Sequence, residues 1–198
     1  MTAKIQSKAV LVTGGAGYIG SVLVTTLLRY GINVRVIDCL THGGESLLGF
    51  LSHPNFDFIY GDICNPNDVD SALENIDSVV HLAAIVGDIA CRNNPKRATE
   101  VNKTASEMLC EKSIQAGVRR FVFVSTCSNY GKMGNGVSWV DETSNLAPVS
   151  LYAELKVGFE KYLKGLGLNN FETVCLRFAT AYGLSLRPRF DLTVNEFT

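Results

Sequence analysis

Two side chains that can exchange a proton with a substrate lie four residues apart in the last quarter of the chain. Tyr152 and Lys156 fall within a predicted helix, residues 150–166, and therefore project from the same face, one turn apart. An ammonium beside a phenol favours the phenolate, so we expect the pKa of Tyr152 to fall from about 10 toward neutrality. Such a pair suits acid–base catalysis on a hydroxyl group. The same spacing also arises when an exposed lysine follows a core tyrosine, so the pair needs support from the rest of the chain.

A glycine-rich turn follows the first predicted strand, residues 9–13. It reads TGGAGYIG from Thr13, and a helix is predicted after it. Gly14 permits a tight turn, Gly17 lets the backbone approach a pyrophosphate, and Gly20 allows helix and strand to pack closely. The free N–H groups at the start of the following helix attract phosphate. Glycines also make ordinary turns, but this order of strand, turn and helix favours a dinucleotide site.

An acidic residue, Asp38, ends the second predicted strand. A carboxylate at this place accepts hydrogen bonds from the adenosine ribose hydroxyls of a dinucleotide. It also repels the additional phosphate of NADP, and no arginine follows it directly. The sequence therefore predicts NAD as the cofactor.

Apolar, β-branched runs alternate with longer amphipathic stretches along the chain. Several runs are almost continuously apolar, as strands buried on both faces are. The alternation predicts an α/β fold, a Rossmann-type doubly wound parallel sheet. The predicted strands are residues 9–13, 33–38, 56–60, 78–82, 120–125 and 172–178, and the predicted helices are residues 18–30, 67–75, 96–116 and 150–166.

Composition argues against several other classes of protein. The 198 residues are 46% hydrophobic and 19% charged with a net charge of −1, without the broad basic surface of a nucleic-acid-binding protein. No apolar run reaches the roughly 18 residues of a membrane span, and the first residues are polar, so we expect a cytoplasmic protein. The six cysteines form no CxxC pair and the three histidines have no ligand spacing. We therefore expect no metal site, and thiols that are free and mostly buried.

Further motifs follow in order along the chain. Asp62 and Ile63 come after the third strand, HLAA begins at His81 after the fourth, Asn102 lies in the next helix, and Ser125 precedes Thr126 after the fifth. With the glycine turn, Asp38 and the tyrosine–lysine pair, they resemble the extended short-chain dehydrogenase/reductases. Within that family the chain is most similar to the NAD-dependent nucleotide-sugar epimerase/dehydratase group, and the resemblance covers essentially the whole chain.

The resemblance implies a role for each matching residue. Tyr152 would be the catalytic acid/base, Lys156 would hold the nicotinamide ribose and tune Tyr152, and Thr126 would hydrogen-bond the reacting hydroxyl. Asp62 and Ile63 would contact the adenine. The remaining implied cofactor contacts are Gly14, Gly17, Tyr18, Ile19, Gly20, Asp38, Ala83, Ala84 and Asn102. His81 is expected to make a structural hydrogen bond.

The chain departs from the resemblance on the substrate side. Cys127 and Ser128 follow Thr126 where the sugar 4,6-dehydratases have an Asp-Glu pair, and Thr180 stands where an asparagine is expected. An epimerase acting through a keto intermediate is therefore favoured, with a ketoreductase or an atypical dehydratase as the alternative, and a non-catalytic NAD-binding sensor as another. Cys127 could do acid–base work, but a buried, inert thiol is the preferred interpretation.

Other residues are weaker candidates for the substrate. Asp88 could face it or be a solvated loop carboxylate, and Arg187 and Arg189 could pair with a diphosphate or be surface charges. Residues 131–149 form a long predicted loop whose Trp139 and Glu142 could belong to a flap.

The domain division is predicted from the motifs and their resemblance. Residues 1–183 would form the NAD-binding Rossmann domain. Residues 184–198 would begin a substrate-binding region, with the small C-terminal domain of the family largely absent from this chain and a helix beginning within residues 191–198. Surplus apolar positions on helices 96–116 and 150–166 predict a homodimer through this pair of helices.

Overall fold

Parallel strands build the centre of the molecule. The computed structural model describes residues 9–132 and 139–197, and within these ranges six strands form one sheet in the order β3-β2-β1-β4-β5-β6. Every neighbouring pair is parallel, as in the Rossmann arrangement. The strands are β1 Ala9–Thr13, β2 Val34–Asp38, β3 Phe56–Tyr60, β4 Ile76–His81, β5 Arg120–Thr126 and β6 Glu172–Phe178.

Helices cross over between the strands, as predicted. The long predicted helix 96–116 is a run in which a π-helical stretch, Glu100–Ala105, joins α4 to α5. The α-helices of the described ranges are α1 Tyr18–Arg29, α2 Pro66–Leu73, α3 Asp88–Asn93, α4 Pro95–Thr99, α5 Ser106–Gln115, α6 Leu151–Gly165 and α7 Thr193–Glu196. Two 3₁₀ turns, Glu45–Phe50 and Cys127–Tyr130, were not predicted, nor was α3. The helix expected within residues 191–198 corresponds to α7, and residue 198 lies outside the described residues.

Both faces of the sheet are covered. Successive residues of a strand point to opposite faces, and in β1 Leu11 belongs to one apolar cluster while Val12 belongs to the other. The Leu11 side contains Leu109 of α5 and Phe159 of α6, whereas the Val12 side contains Val24 of α1. The predicted α/β class and doubly wound architecture are confirmed.

The reversal of strand order creates a crevice between β1 and β4. From β1 the chain builds outward to β2 and β3, and it then returns to place β4 on the other side of β1. Thr13 and His81, the last residues of these two strands, are register partners. Dinucleotides bind outside the carboxyl ends of strands at such a switch point. The TGGAGYIG turn after β1 and the HLAA segment after β4 both lie there.

The expectations about the thiols, a metal site and a membrane span can be compared with the described residues. The thiols are free, but the prediction that most are buried is wrong, because strand ends and turns leave several at the surface. Cys91 and Cys110 are buried, Cys64 is partly buried, and Cys39, Cys127 and Cys175 are exposed. Residues 9–132 and 139–197 contain no cluster of His, Cys, Asp and Glu suited to a metal ion, and no helix long and apolar enough to cross a membrane.

Several of the apolar positions on helices 96–116 and 150–166 that suggested a dimer are used within the chain. Leu109, Leu155, Phe159 and Leu163 are all less than a tenth exposed. They pack into the clusters under the sheet and beside α3. These four side chains are therefore not surplus, and the homodimer stays a prediction without their support.

Candidate active site

The glycine turn is built so tightly that its first glycine tolerates no side chain. Gly14 has a φ of +75°, a left-handed conformation that glycine adopts without strain. A Cβ at this position would lie 2.8 Å from the backbone nitrogen of Ala83. The Gly14 N–H donates to the Ile37 carbonyl at 2.9 Å, which fixes the turn against β2. Gly14 therefore holds the turn between β2 and the segment after β4.

The other glycines bring α1 onto the turn. A Cβ on Gly20 would overlap the Gly14 carbonyl oxygen and lie 2.7 Å from the Gly15 Cα. Gly15 itself abuts Val36, which sequence reasoning missed because its spacing falls outside the GxxGxxG pattern. Gly17 caps α1 and has no side chain to accept from the first-turn N–H groups, and Tyr18 and Ile19 begin that turn. These N–H groups are therefore available to bind an anion.

Asp38 joins the end of β2 to the glycine turn. Its Oδ2 accepts from the Ala16 N–H at 2.9 Å and its Oδ1 from the Leu40 N–H at 2.8 Å. Each carboxylate oxygen can accept a second hydrogen bond, so the group can still receive ribose hydroxyls. The predicted role of Asp38 is compatible with this geometry.

The implied adenine pair is already engaged with its own chain. Asp62 accepts a 2.7 Å hydrogen bond from the guanidinium of Arg97, at the start of the long helix. Ile63 is buried in the core below the sheet edge. Arg97 also pairs with Glu100 at 3.0 Å. Sequence reasoning missed Arg97, which carries positive charge to this edge of the crevice.

A buried hydrogen-bonded chain runs across the crevice floor through His81. The Ala83 N–H donates to the Thr13 hydroxyl, which lies 2.8 Å from His81 Nδ1. On the other side, His81 Nε2 lies 2.9 Å from the Ser106 hydroxyl, and that hydroxyl donates to the Val101 carbonyl. Because the Ser106 hydroxyl uses its single proton on Val101, it must accept from His81 Nε2, which therefore carries the imidazole proton. Nδ1 is then unprotonated and accepts a hydrogen bond from the Thr13 hydroxyl.

His81 is therefore a structural residue, as expected. Burial, with a smaller contribution from the Lys156 charge, lowers the pKa of His81 to about 3. A neutral imidazole thus links β1, β4 and α5 at the point where the cofactor crevice opens.

Asn102 fixes the segment that follows β4. Its Oδ1 accepts from the Ile85 N–H and its Nδ2 donates to the Ile85 carbonyl, both at 2.8 Å. The side chain is buried and lies in the π-helical stretch, a feature that is frequent at functional sites. The geometry makes Asn102 a support for Ala83 and Ala84, whose backbone borders the glycine turn.

Lys156 lies beneath Tyr152 in a buried position. Its Nζ donates to the Val124 carbonyl at 2.9 Å and lies 4.6 Å from the centre of the Phe123 ring and 5.9 Å from that of the Tyr152 ring. Burial lowers the pKa of Lys156 to about 8. The lysine is thus buried between α6 and β5, and is not the solvated lysine of the alternative interpretation.

The expected fall in the pKa of Tyr152 is wrong for this arrangement. Burial, with the nearby acidic groups of Cys91 and Asp88, raises the pKa of Tyr152 to about 12. Lys156 faces the ring and Val124, so it does not offset the loss of solvent at the hydroxyl. The phenol is therefore protonated at neutral pH.

Thr126 ends β5 at the same sheet edge. It is largely buried, and its hydroxyl accepts from the Ser128 N–H at 3.2 Å, which caps the 3₁₀ turn Cys127–Tyr130. Cys127 and Ser128 are exposed on that turn. The preferred interpretation of Cys127 as a buried thiol is wrong, because the turn carries it out of the sheet at the end of the strand.

Asp88 positions the start of the helix that carries Tyr152. Its carboxylate accepts from the Ser150 hydroxyl at 2.6 Å, and Ser150 in turn caps α6 through the Ala153 N–H. Asp88 is exposed but hydrogen-bonded, so it is more than a solvated loop carboxylate.

The arginines of the last segment differ in their surroundings. Arg189 pairs with Asp191 and lies close enough to Tyr152 for its charge to act on the phenol. The backbone N–H of Arg187 donates to the Ser185 hydroxyl. Thr180 is exposed beyond β6. Of these candidates, Arg189 is the one that the structure brings near Tyr152.

The loop 131–149 is described in part, since residues 133–138 lie outside the described ranges. Trp139 is 72% exposed. The Glu142 carbonyl accepts a long hydrogen bond, 3.4 Å, from Arg177 of β6. A flap role for Trp139 and Glu142 stays a prediction.

A buried polar network behind α6 was not predicted. The Glu160 carboxylate accepts from Arg177 of β6 and from Asn129 of the 3₁₀ turn, both at 2.7 Å. Asn129 also donates to Ser125, and Arg177 to the Tyr130 hydroxyl. A glutamate three residues from Val157 and from Leu163 gives little sequence signal of a partner on a distant strand. The network sets the position of the helix that bears Tyr152 and Lys156.

This geometry agrees with a comparison with known protein families. The model of the NAD dependent epimerase/dehydratase family matches residues 10–197. The chain belongs to this family. Its members use NAD, and NAD is the cofactor for which the crevice between β1 and β4 is built.

Individual relatives agree with this family. The chain is 37% identical over 165 residues to a 3-beta-hydroxysteroid dehydrogenase of Mycolicibacterium neoaurum, covering 79% of this chain and 42% of the relative. It also resembles the solved structure of UDP-N-acetylglucosamine 4-epimerase from Methanobrevibacter ruminantium M1 in complex with UDP-N-acetylmuramic acid, with a TM-score of 0.83 and 30% identity over 96% of this chain and 59% of that one.

A second solved structure contains the cofactor. UDP-glucose 4-epimerase of Thermus thermophilus, in complex with NAD, matches with a TM-score of 0.78 and 33% identity, covering 88% of this chain and 56% of that one. The chain therefore spans about half the length of the proteins that it matches.

Proposed function

We propose that this chain carries the NAD-binding and catalytic part of an epimerase that acts on a nucleotide-linked sugar through a transient keto intermediate. The observation that carries the proposal is the arrangement of three side chains near the carboxyl edge of β5, where Tyr152 stands over the buried Lys156 and Thr126 ends the strand. The similarity to two sugar 4-epimerases supports the same reaction.

The crevice fits NAD. Gly17 leaves the first-turn N–H groups of α1 without a side-chain cap, which suits the pyrophosphate. Asp38 retains acceptor capacity for the ribose hydroxyls. Gly14 and Gly20 keep the cradle free of side chains, since a Cβ on either would meet backbone atoms.

Bound NAD supplies the acceptor and donor of hydride. The phenolate form of Tyr152 takes the proton of the reacting hydroxyl as the carbon is oxidised, and the resulting phenol returns that proton when the carbon is reduced from the other face. Lys156 provides a buried cation beneath the tyrosine, and its Val124 contact fixes its Nζ. Thr126 offers its hydroxyl to the same substrate oxygen.

Arg189 is the residue that would bind the diphosphate of the nucleotide-linked sugar. A guanidinium matches phosphate oxygens in a bidentate manner. It lies beside Tyr152 in the segment that follows β6, and its partner Asp191 is more than half exposed. The Asp191 carboxylate pairs with the Arg189 guanidinium until the substrate diphosphate replaces it.

A second candidate is an NAD-dependent dehydrogenase of a ring hydroxyl on an apolar substrate. The identity to a 3-beta-hydroxysteroid dehydrogenase favours it. So do exposed apolar side chains next to the start of α6, Val86, Ile89 and Val149. A sensor without catalysis is less favoured, because binding NAD alone does not require a lysine buried beneath a tyrosine.

The experiment is to assay the full-length protein with NAD against UDP-, GDP-, CDP- and dTDP-linked sugars and a 3β-hydroxysteroid. Epimerisation of a nucleotide-linked sugar without net production of NADH supports the proposal. Stoichiometric NADH formed from the steroid supports the second candidate. Tight NAD binding without turnover of any compound would favour the sensor.

A further inference from the structure

Residues 183–197, called here the C-terminal segment, lie against the first turn of α1 and meet it at the Tyr18 side chain. The Tyr18 hydroxyl donates to the Gly183 carbonyl at 2.7 Å and accepts from the Asn195 Nδ2 at 3.0 Å. One hydroxyl thus bonds residues twelve positions apart, at the two ends of the segment. Both of these bonds are made to the segment and neither to the glycine turn.

Asn195 closes the segment on itself. Its Oδ1 accepts from the Gly183 N–H and its Nδ2 donates to the Arg189 carbonyl, both at 2.9 Å. A second contact with α1 is made by Ser185, whose hydroxyl donates to the Tyr18 carbonyl at 2.7 Å. The segment is therefore a closed loop, and Tyr18 contributes both its side chain and its backbone to docking it.

This docking determines where Arg189 lies. The backbone of Arg189 is held by Asn195, and the charge of its guanidinium interacts with the side chains of both Tyr18 and Tyr152. Arg189 is a positive charge that lowers the pKa of Tyr152 against the larger effect of burial. The segment is docked on α1, and it places the positive charge of Arg189 where that charge acts on Tyr152.

We propose that Tyr18 is a positioning residue for the substrate: its hydroxyl holds the C-terminal segment on α1 and so keeps Arg189 beside Tyr152. The inference rests on the proposed function for the role of Arg189 but not for the docking itself. A phenylalanine at position 18 would leave the backbone N–H for the pyrophosphate and the Ser185 contact with the Tyr18 carbonyl, and it would remove only the hydroxyl bonds to Gly183 and Asn195. Cofactor binding and substrate positioning are therefore separable at this residue.

The docking is tested by hydrogen–deuterium exchange in full-length Tyr18→Phe. The Gly183 and Arg187 amides, which are bonded to Asn195 and Ser185, report the state of the segment. We expect their exchange to rise about tenfold, as for a local opening that becomes easier. Tyr30→Phe is the control, because Tyr30 ends the same helix and is 80% exposed. Equal exchange in the two variants overturns the proposal.

The positioning role is tested by kinetics on the substrate found in the assay. In Tyr18→Phe we expect the KM for the substrate to rise about tenfold while the NAD dissociation constant changes less than about twofold. The increase of kcat/KM with pH should also shift to higher pH, because the pKa of Tyr152 rises when the charge of Arg189 moves away. A weaker NAD affinity with unchanged substrate KM overturns the proposal.

A second variant guards against misfolding. Asn195→Ala removes the Tyr18 link from the side of the segment, together with the Asn195 bonds to Gly183 and Arg189, and it should raise exchange at Arg187 and the substrate KM at least as much. If no nucleotide-linked sugar is turned over, the proposed function fails, whereas the exchange experiment still decides whether Tyr18 docks the segment.

Discussion

The Glu160 carboxylate and the Arg177 guanidinium form a buried ion pair, with 2.7 Å between Oε2 and Nη2. Glu160 lies on α6 one turn beyond Lys156 and two turns beyond Tyr152, so the three share one face of the helix. Arg177 lies on β6 directly opposite Ser125 of β5. The pair therefore ties the helix that carries Tyr152 to the sheet edge that carries Thr126.

Breaking this pair should be costly to stability. Arg177→Met leaves the Glu160 charge buried with its main partner removed, and we expect the free energy of unfolding to fall by about 3–5 kcal/mol. Urea denaturation of the full-length protein measures it. Arg120→Met is a matched control, since Arg120 and Glu172 also join β5 to β6 but are both more than half exposed. The control should cost less than about 1 kcal/mol. Similar losses in both variants would contradict the structural role of the buried pair.

Local signals explain why the cofactor side was predictable. The glycine turn and Asp38 depend on neighbouring residues and on strand periodicity, and the structure has them at the switch point as expected. The partners of Glu160 come from a distant strand and turn, and no periodic pattern marks such contacts.

Electrostatics and exposure at the site were harder to predict. The pKa of Tyr152 depends on how deeply its hydroxyl is buried, which the four-residue spacing to Lys156 does not determine. The exposure of Cys127 depends on a 3₁₀ turn that begins immediately after β5. Both ends of the Asn102 amide bond Ile85, a supporting role that the sequence did not indicate, and its contact with the cofactor stays a prediction.

The buried histidine should make the protein sensitive to acid. The pKa of His81 is about 3 when folded, below its ordinary value of 6.5, so between these values the unfolded chain binds a proton that the folded chain does not. Stability from this residue is complete above pH 6.5 and falls as the pH drops toward 3, by about 1.4 kcal/mol per pH unit.

The measurement is urea unfolding from about pH 7 to about pH 4.5, a range that spans the ordinary histidine pKa. His81→Gln should be less stable at neutral pH, because the hydrogen bonds that link Thr13 to Ser106 through His81 are interrupted. Its free energy of unfolding should nevertheless fall less on acidification than that of the wild type. His42→Gln, at an exposed position, should keep the wild-type slope. The same slope in His81→Gln as in the wild type would rule out His81 as its source.

Close packing of α1 on the glycine turn predicts opposite results at two helical glycines. Gly20→Ala places a methyl group on the Gly14 carbonyl oxygen, so the turn must shift. We expect NAD affinity to fall by at least about tenfold, since the anion-binding N–H groups move with the turn. Calorimetric titration with NAD measures this effect.

Gly158→Ala is the matched control for this substitution. Gly158 lies within α6, and an added Cβ meets no atom within 4 Å. Alanine there should raise the free energy of unfolding by about 0.5–1 kcal/mol through helix propensity and leave NAD affinity unchanged. Unaltered NAD binding in Gly20→Ala would show that the turn does not need this close approach.

The acid–base assignment is tested by Tyr152→Phe, which keeps the ring over Lys156 and removes the hydroxyl. Loss of general acid–base catalysis should lower kcat about 10²–10⁴-fold. NAD affinity should hardly change, because the phosphates and the adenosine ribose are held at the glycine turn and Asp38. Tyr162→Phe on the same helix is the control, since its hydroxyl bonds Glu111. That variant should retain near-normal turnover.

The pH dependence of hydroxyl oxidation provides a second signature of Tyr152. With a pKa of about 12 the phenol is protonated at neutral pH, so kcat/KM should rise with pH as the phenolate fraction grows. The rise should weaken above pH 8, where Lys156, whose pKa is lowered from 10.5 to about 8, loses its charge. Lys156→Ala should bind NAD more weakly and lack this break. Because the rise in rate belongs to the hydroxyl of Tyr152, Tyr152→Phe should lack this rise, and the wild-type rise in that variant would assign the proton transfer to another group.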